Sequence, residues 1–404
     1  NTKSSNKSVA ALFYGLRGQR AKVSTVDFLR AACKWKGEVR MEESKNSSRY
    51  RSLLIGFLIL DLIAFTLLAV AYFWNGDIGD QEIKYEDAEL VFDDLSGQKV
   101  IPSGEPVGIY LKTDGVMVVD CDEVETAQGE ICSPCNGLLQ TGDYITAVNE
   151  TAISTKKELM QALSGNNTGT MRLTFLRDGK SQVAEVTPVK TNKNAYMLGL
   201  WVKDDISGIG TVTFLCGNQF MALGHSVSDN DTGLKISSTG GGIYTTHITK
   251  INRSFVSMPG QLQGTILYKK DLIGIVEGNY DNGIGGYLDE EYVAKHYKAA
   301  EAMYIADPDE VQTGEAYIYS RLDGNLKKYR INILAVHTDT ANKNMEFKVE
   351  DEDLIALTGG VCQGMSGSPI VQNGKLIGAV THVLVDDPTA VSYTHLRAHE
   401  TKAN

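Results

Sequence analysis

The segment that most restricts the fold of this chain is a glycine-rich run that leads into a β-hairpin. It reads Gly364-Met-Ser366-Gly-Ser-Pro369-Ile-Val, and it is followed by Asn373-Gly374 and a second apolar run. An Asn-Gly pair between two apolar runs is a strong signal for a tight hairpin turn. The glycines before the hairpin permit backbone dihedrals that other residues avoid. The sequence therefore predicts that Ser366 lies on a sharp turn at the entrance to a hairpin.

Composition favours a mainly β protein with more than one domain. The 404 residues include 40 Gly and only 8 Pro, which is typical of a chain with many turns, and this length allows two or three domains. The net charge of −11 argues against nucleic acid as the main partner, because phosphate binding needs clustered cations. Cys132 and Cys135 form one C-x-x-C pair, which is either a redox pair or two ordinary loop thiols. No metal site is predicted, because zinc would need two further ligands at compatible spacing.

Residues 53–74 form an apolar run of the length that a helix needs to cross a bilayer. Basic residues precede this run and acidic residues follow it, so the positive-inside rule predicts a cytoplasmic tail at residues 41–52. Everything after the anchor is then extracytoplasmic, beginning with a polar linker at residues 75–98. The small residues Ala69-Val-Ala71 leave open a signal-peptidase cleavage that would release the protein.

Two terminal segments are set aside from the fold prediction. Residues 1–40 are basic and precede the first methionine, Met41, so they read either as upstream sequence or as an N-terminal extension. Residues 391–404 continue no strand or helix pattern and read as a non-native tail.

Residues 99–190 show an order of elements that resembles a PDZ domain. The run Gly142-Asp-Tyr-Ile-Thr-Ala-Val-Asn149 is followed by a short amphipathic helix at 155–163 and an alternating strand from Met171. PDZ domains bind an extended peptide as an added strand beside a helix. The alternative is a small module that serves only as a spacer. The residues predicted to line the peptide groove are Val107, Gly108, Ile109 and Tyr110.

Ser366 needs a base before it can act as a nucleophile. His225 lies in a small-residue turn after a strand-like run, where it can reach across a cleft. The other histidines considered lie in or beside strand patterns. If the loop folds as in the trypsin-like peptidases whose nucleophile motif it resembles, the backbone N–H groups of Gly364 and Ser366 can point together at a developing oxyanion. The histidines considered besides His225 are His247, His337 and His382.

The turn and its surroundings resemble known peptidases. Gly-x-Ser-Gly-x-Pro before a hairpin resembles the nucleophile motif of trypsin-like enzymes. Together with Ala222-Leu-Gly-His225, the apolar run and the PDZ-like module, it resembles the SpoIVB sporulation peptidases of endospore-forming Firmicutes over residues 41–390. The resemblance implies one N-terminal transmembrane helix, a PDZ-like α+β domain and a trypsin-like double β-barrel at residues 195–390. The chain departs from the family near its end, where the peptidase domain is expected to be truncated.

The same resemblance implies roles for individual residues. Ser366 matches the family's nucleophile, His225 its base, and Asp351 the acid that holds the histidine tautomer. Asp353 and Asp229 remain alternatives for the acid. No cofactor is expected.

The resemblance also implies a biological setting. Such peptidases cleave themselves and the extracytoplasmic part of a membrane regulator, between forespore and mother cell. This cleavage releases an intramembrane metalloprotease that activates a late sigma factor. Two other functions stay open, namely a non-catalytic membrane-anchored PDZ scaffold and an HtrA-like envelope quality-control protease, which usually places its protease domain before the PDZ domain.

Overall fold

The fold is known from a computed structural model that describes residues 98–165, 169–268, 270–337 and 345–382. All of them belong to one compact unit, Ile78–Asn404. The predicted anchor at 53–74 and both terminal segments lie outside the described residues. Within the described ranges, no helix is both long and apolar enough to cross a membrane.

The prediction of a mainly β protein is confirmed, because strands dominate the described residues. The first strands are β1 (Lys99–Cys121), β2 (Val124–Glu125), β3 (Ile131–Cys132), β4 (Tyr144–Val148), β5 (Thr151–Ala152), β6 (Met171–Arg177), β7 (Lys180–Val186), β8 (Val189–Lys190), β9 (Tyr196–Met197), β10 (Leu200–Cys216) and β11 (Gln219–Ala222). The later strands are β12 (Ser238–Thr245), β13 (His247–Asn252), β14 (Gln261–Thr265), β15 (Leu272–Tyr280), β16 (Gly283–Leu288), β17 (Met303–Tyr304), β18 (Gly314–Ser320), β19 (Lys327–Val336), β20 (Met345–Val349), β21 (Pro369–Gln372) and β22 (Lys375–Ala379). The helices are α1 (Lys156–Gly165), α2 (Glu290–His296), α3 (Glu352–Thr358) and the 3-10 turn Pro308–Glu310.

Six antiparallel strands close into a first barrel. Around the ring, β1 pairs with β10, β10 with β11, β11 with β16, β16 with β15, β15 with β12, and β12 returns to β1. Closure leaves no strand edge along this ring. Its interior is filled by fully buried side chains that include Val107, Leu111, Leu215, Phe220 and Ile243.

The PDZ-like module is built on the far ends of two barrel strands. The second half of β1 pairs with β4, and β4, β6 and β7 continue the same sheet. The helix α1 packs on this sheet through Leu159, in a core with Val116, Ile145, Leu173 and Phe175. Module and barrel therefore share one continuous sheet.

The boundary between the two parts differs from the predicted one at residue 190. The first half of β1, up to Thr113, lies in the barrel, where it pairs with β12. The first residues of β10, Leu200–Lys203, complete the module by pairing with the end of β1. The register of β1 shifts between Lys112 and Met117, and a bulge of this kind interrupts the alternation of side chains that marks a single strand in the sequence.

The second half of the peptidase region is a five-stranded antiparallel sheet in the order β20-β19-β18-β21-β22, covered by the β13–β14 hairpin. Its core contains Leu262 from the hairpin, Ile331 and Phe347 from the sheet, and Met365 from the loop before β21. The strand pairs within the described ranges close the first barrel but not this second sheet.

Candidate active site

Ser366 lies in a turn between α3 and β21 that is clamped against the first barrel. Thr211 of β10 holds this turn twice, because its N–H donates to Ser366 O at 2.9 Å and its Oγ1 donates to Gly364 O at 2.8 Å. From the other side, the N–H of Gly367 donates to Val380 O at 2.7 Å. The turn is thus fixed both to the first barrel and to its own hairpin, and Ser366 remains half-buried.

The turn packs so closely against β10 and Leu223 that position 367 requires glycine. Its φ is +96°, and a Cβ atom there would lie 2.0 Å from Thr211 O and 2.5 Å from Leu223 N. Real Cβ atoms do not approach backbone atoms so closely, so any other residue would push the nucleophile turn away from β10. The close contact with Leu223 also brings Ser366 near the segment that ends in His225.

The two backbone amides that were predicted to form an oxyanion hole are available to bind an oxyanion. Gly364 has φ +98°, which turns the backbone at the start of the loop. Among the hydrogen bonds of the described residues, none has Gly364 N or Ser366 N as its donor. Unpaired amides beside a nucleophile are what stabilisation of a tetrahedral oxyanion requires.

His225 follows β11 in a turn that is held by the same threonine. Leu223 N donates to Thr211 O at 3.1 Å, so Thr211 contacts both the nucleophile turn and the segment before the histidine. Leu223 and Gly224 have φ values of +73° and +71°, which redirect the chain after the strand. The structure therefore brings Ser366 and His225, which are far apart in sequence, to one site at the junction of the two halves.

The hydrogen bond of His225 fixes which ring nitrogen carries the proton. Its Nδ1 lies 2.8 Å from Ser226 O. A carbonyl oxygen can only accept, so Nδ1 carries the hydrogen when the ring is neutral and Nε2 is left as the basic nitrogen. This is the tautomer that a general base for Ser366 needs.

Ser366 and His225 do not hydrogen bond to each other among the described residues. Ser366 Oγ donates instead to Thr381 O at 3.1 Å, and the ring of His225 lies 5.5 Å from the ring of His382. Catalytic hydrogen bonds often form only when substrate is bound. His382 is one of the histidines that the sequence analysis considered as an alternative to His225, and the structure places it beside that residue. Thr381 is a site neighbour that the sequence did not single out, although its place directly after the nucleophile hairpin is the signal that could have found it.

Burial lowers the pKa of His225, and the hydrogen bond to Ser226 O offsets this only in part. A base must be neutral, so activity is present above this pKa and is lost as pH falls through it. As pH is lowered, we expect the rate of Ser366 labelling by a fluorophosphonate to fall with a midpoint below about pH 6.5, the ordinary histidine value. The pseudo-first-order rate measured against pH tests this, and a midpoint above the ordinary value would contradict it.

Asp351 caps a helix and does not make the predicted contact with His225. It is the N-cap of α3, where Oδ1 accepts from Asp353 N at 3.1 Å and Leu354 N at 3.2 Å. Its Oδ2 accepts from Arg330 N at 3.2 Å. No carboxylate of the described residues hydrogen bonds to His225. Of the two alternatives for the acid, Asp353 is exposed beside the cap and Asp229 binds Lys203. The orienting contact at Nδ1 is made by Ser226 O.

Two substitutions of Asp351 distinguish its role as a helix cap from the role of a catalytic acid. Asp351→Ala is expected to lower stability by about 1 kcal/mol through loss of the cap, whereas Asp351→Asn keeps the cap, because Asn caps as well as Asp. The Asn variant loses only the hydrogen bond that Arg330 N donates to Oδ2. Fluorophosphonate labelling of the Asn variant near the wild-type rate would assign Asp351 to the cap alone. A loss of about 10⁴-fold in the Asn variant would instead restore the triad role.

The predicted peptide groove at Val107–Tyr110 is wrong. These residues pair with β10 on one edge and with β12 on the other, so no edge is open to an added strand. Val107 and Ile109 also belong to the barrel core. The prediction failed because the two covering strands lie far along the chain and leave no local signal.

An open edge beside a helix exists elsewhere in the module. Leu200–Lys203 pairs with β1 on one edge only, within the described strands. The helix α1 lies beside it, anchored by Lys156 N donating to Asp204 Oδ2 at 2.8 Å. Gly199, with φ +69°, precedes this edge. This is the arrangement of helix and strand that β-augmentation needs.

The remaining sequence candidates lie away from the chemistry. His247 is exposed on β13, and His337 Nε2 lies 3.2 Å from Glu346 Oε1. Cys132 and Cys135 are both free thiols, and burial raises the pKa of Cys135 to about 12. A thiol with so high a pKa is a poor nucleophile, which favours ordinary loop thiols over a redox pair.

Comparisons with known proteins identify the family of this chain. The family model described as SpoIVB peptidase S55 matches residues 194–396, about half of the chain. Among solved structures, the chain is similar to the PDZ domain of the SdrC-like protein from Listeria monocytogenes, with 20% identity over 22% of this chain and 87% of that one and a TM-score of 0.19. No curated protein matches the chain. The matched region contains both Ser366 and His225, and the chain belongs to the SpoIVB peptidase S55 family of serine peptidases.

Proposed function

We propose that this chain is a membrane-anchored endopeptidase in which Ser366 is the nucleophile and His225 the base. One observation carries the proposal. A single residue of β10, Thr211, binds the nucleophile turn through its N–H and accepts from Leu223 N just before the histidine. Because both turns are fixed to one strand residue, the side chains of Ser366 and His225 keep the same position relative to each other. Proton transfer between them requires this.

The chemistry follows from the placement of these groups. Ser366 Oγ attacks the carbonyl carbon of the substrate while His225 Nε2 takes its proton. The N–H groups of Gly364 and Ser366 stabilise the resulting oxyanion. His225 then gives its proton to the leaving amine, and water repeats the sequence on the acyl-enzyme. Throughout, the hydrogen bond from Nδ1 to Ser226 O keeps the ring in one orientation.

The substrate class is protein, and its finer definition belongs to the proposal. We place the catalytic domain outside the cytoplasm, tethered by residues 53–74 in the space between forespore and mother cell. Its substrates are a second copy of this chain and a membrane-bound regulator of an intramembrane metalloprotease, so that cleavage activates a late sigma factor during sporulation. Membership of the peptidase family and the apolar run before the linker support this.

The PDZ-like module selects peptide segments in this proposal. The open edge at Leu200–Lys203 receives an extended segment, and α1 borders it. Such a groove provides main-chain hydrogen bonds for affinity and side-chain pockets for specificity. A module of this kind suits limited cleavage of chosen partners.

Cleavage in trans tests this function. A tagged Ser366→Ala full chain is mixed with the wild-type full chain, with casein as a second substrate. We expect a few discrete fragments of the tagged chain and little loss of casein. Broad degradation of casein would favour an envelope quality-control protease. Intact tagged chain and intact casein, with no labelling of Ser366, would favour a non-catalytic PDZ scaffold.

A further inference from the structure

The side chain of Asn279 attaches the loop that follows His225 to the first barrel. Asn279 on β15 donates from Nδ2 to Val227 O at 2.8 Å and to Ile236 O at 2.9 Å. Its Oδ1 accepts from Val227 N at 2.8 Å. These bonds hold the two ends of the loop together on the barrel side, directly after the residue whose carbonyl orients His225.

The same loop is attached to the PDZ-like module on its other side. Ser237 N donates to Tyr144 OH at 3.0 Å, and Asp114 N donates to Ser237 O at 3.1 Å. Ile236 is buried in a small apolar cluster with Met117 and Tyr144. The loop therefore fills the junction between the module and the barrel.

A buried carboxylate organises the interior of this loop. Asp229 is only 1% exposed, and its Oδ1 accepts from Asp231 N at 3.1 Å and from Thr232 N at 3.0 Å. Its Oδ2 accepts from Lys203 Nζ, which also lies 2.6 Å from Asp231 Oδ2. Burial by itself raises the pKa of Asp229, but the hydrogen bonds from Lys203 and Thr232 outweigh it and hold that pKa below its usual value. Removing one partner of such a pair leaves an uncompensated buried charge.

Lys203 reaches this carboxylate from the strand edge of the module. Its backbone pairs with Met117 of β1 at the end of the open segment Leu200–Lys203. Its side chain is half-buried, with 31% exposed. The contacts thus run from this strand to Asp229, along the loop to Ser226, and from Ser226 O to His225 Nδ1.

We infer that Lys203 and Asp229 are positioning residues for His225. Their ion pair fixes the loop whose first carbonyl orients the imidazole, and it makes that orientation depend on the PDZ-like module. Among the described residues, neither side chain hydrogen bonds to Ser366 or His225. The inference rests on the proposed roles of Ser366 and His225.

The test is the rate at which a fluorophosphonate labels Ser366 in the full chain. Lys203→Met is expected to lower the second-order rate constant by about 10- to 100-fold, the loss that a displacement of about 1 Å brings. Lys203→Arg keeps the charge and is expected to recover most of the rate. The matched control is Lys235→Met, which removes an exposed ion pair to Asp281 (Nζ to Oδ1, 2.6 Å) from the same loop and is expected to leave the rate unchanged.

A second variant separates positioning from stability. In Lys203→Met/Asp229→Asn the buried charge is gone, so the melting temperature is expected to rise above that of Lys203→Met while the labelling rate stays low. The inference is overturned if Lys203→Met labels at the wild-type rate, or if the double variant regains the wild-type rate. Failure of the wild-type chain to label would overturn the proposed active site itself, and this inference with it.

Discussion

The Ser366→Ala chain is expected to lose peptide hydrolysis by a factor on the order of 10⁴ to 10⁶, as other serine peptidases do when the nucleophile is removed. Its fold is expected to persist, because Ser366 Oγ makes a single hydrogen bond, to Thr381 O at 3.1 Å, and one such bond contributes about 1 kcal/mol. Hydrolysis of a fluorogenic peptide and the melting temperature, measured on the same preparation, give the two quantities.

The neighbouring serine supplies the control. Ser368 lies in the same turn and is fully buried, and its Oγ has no hydrogen-bond partner among the described residues. Ser368→Ala is therefore expected to keep both activity and stability. Activity that survives Ser366→Ala, or that is lost only in Ser368→Ala, would contradict the assignment of the nucleophile.

Gly367→Val is expected to lower activity by about 10²-fold, by a different route. The new Cβ would meet Thr211 O at 2.0 Å, at a φ of +96° that side chains rarely adopt. Relief of this contact moves the turn off β10, which separates Ser366 from the Leu223–His225 segment. A misplacement of about 1 Å costs about 10²-fold in rate, and the backbone strain costs about 1 to 3 kcal/mol of stability. Peptide hydrolysis and denaturant unfolding measure the two effects.

Gly374→Ala is the matched control for this glycine. Gly374 also has a positive φ, +76°, but a Cβ there meets nothing within 4 Å. The substitution is expected to cost about 1 kcal/mol for the backbone conformation and to leave the hydrolysis rate unchanged. Equal loss of activity in both variants would show that the hairpin as a whole, and not the fit of Gly367 against Thr211, supports catalysis.

The features predicted well from the sequence are those with local causes. The hairpin of β21 and β22 forms where Asn373-Gly374 predicted it, and both residues have positive φ, +51° and +76°. The helix predicted at 155–163 corresponds to α1, because its amphipathic pattern lies within one segment. Turn chemistry and short-range periodicity depend on adjacent residues, so they can be read without knowing the fold.

The features that were missed depend on contacts between distant parts of the chain. Val107–Tyr110 has the alternation of an ordinary strand, and only its pairing with both β10 and β12 shows that it has no open edge. Lys203 lies in no motif, and its ion pair with Asp229 follows from the way β10 runs from the module into the barrel. Asp351 is an intermediate case, because Asp followed by acidic residues and an apolar run is also a helix-start signal.

The roles of Ser366 as nucleophile and His225 as base are tested most directly by fluorophosphonate labelling of the full chain, with Ser366→Ala and His225→Ala beside it. We expect the wild type to be labelled at one site, in the peptide that contains Ser366. Labelling is expected to be lost in the Ser366 variant and slowed by several orders of magnitude in the His225 variant. Labelling that persists in Ser366→Ala, or that is as fast in His225→Ala as in the wild type, would contradict the proposed active site.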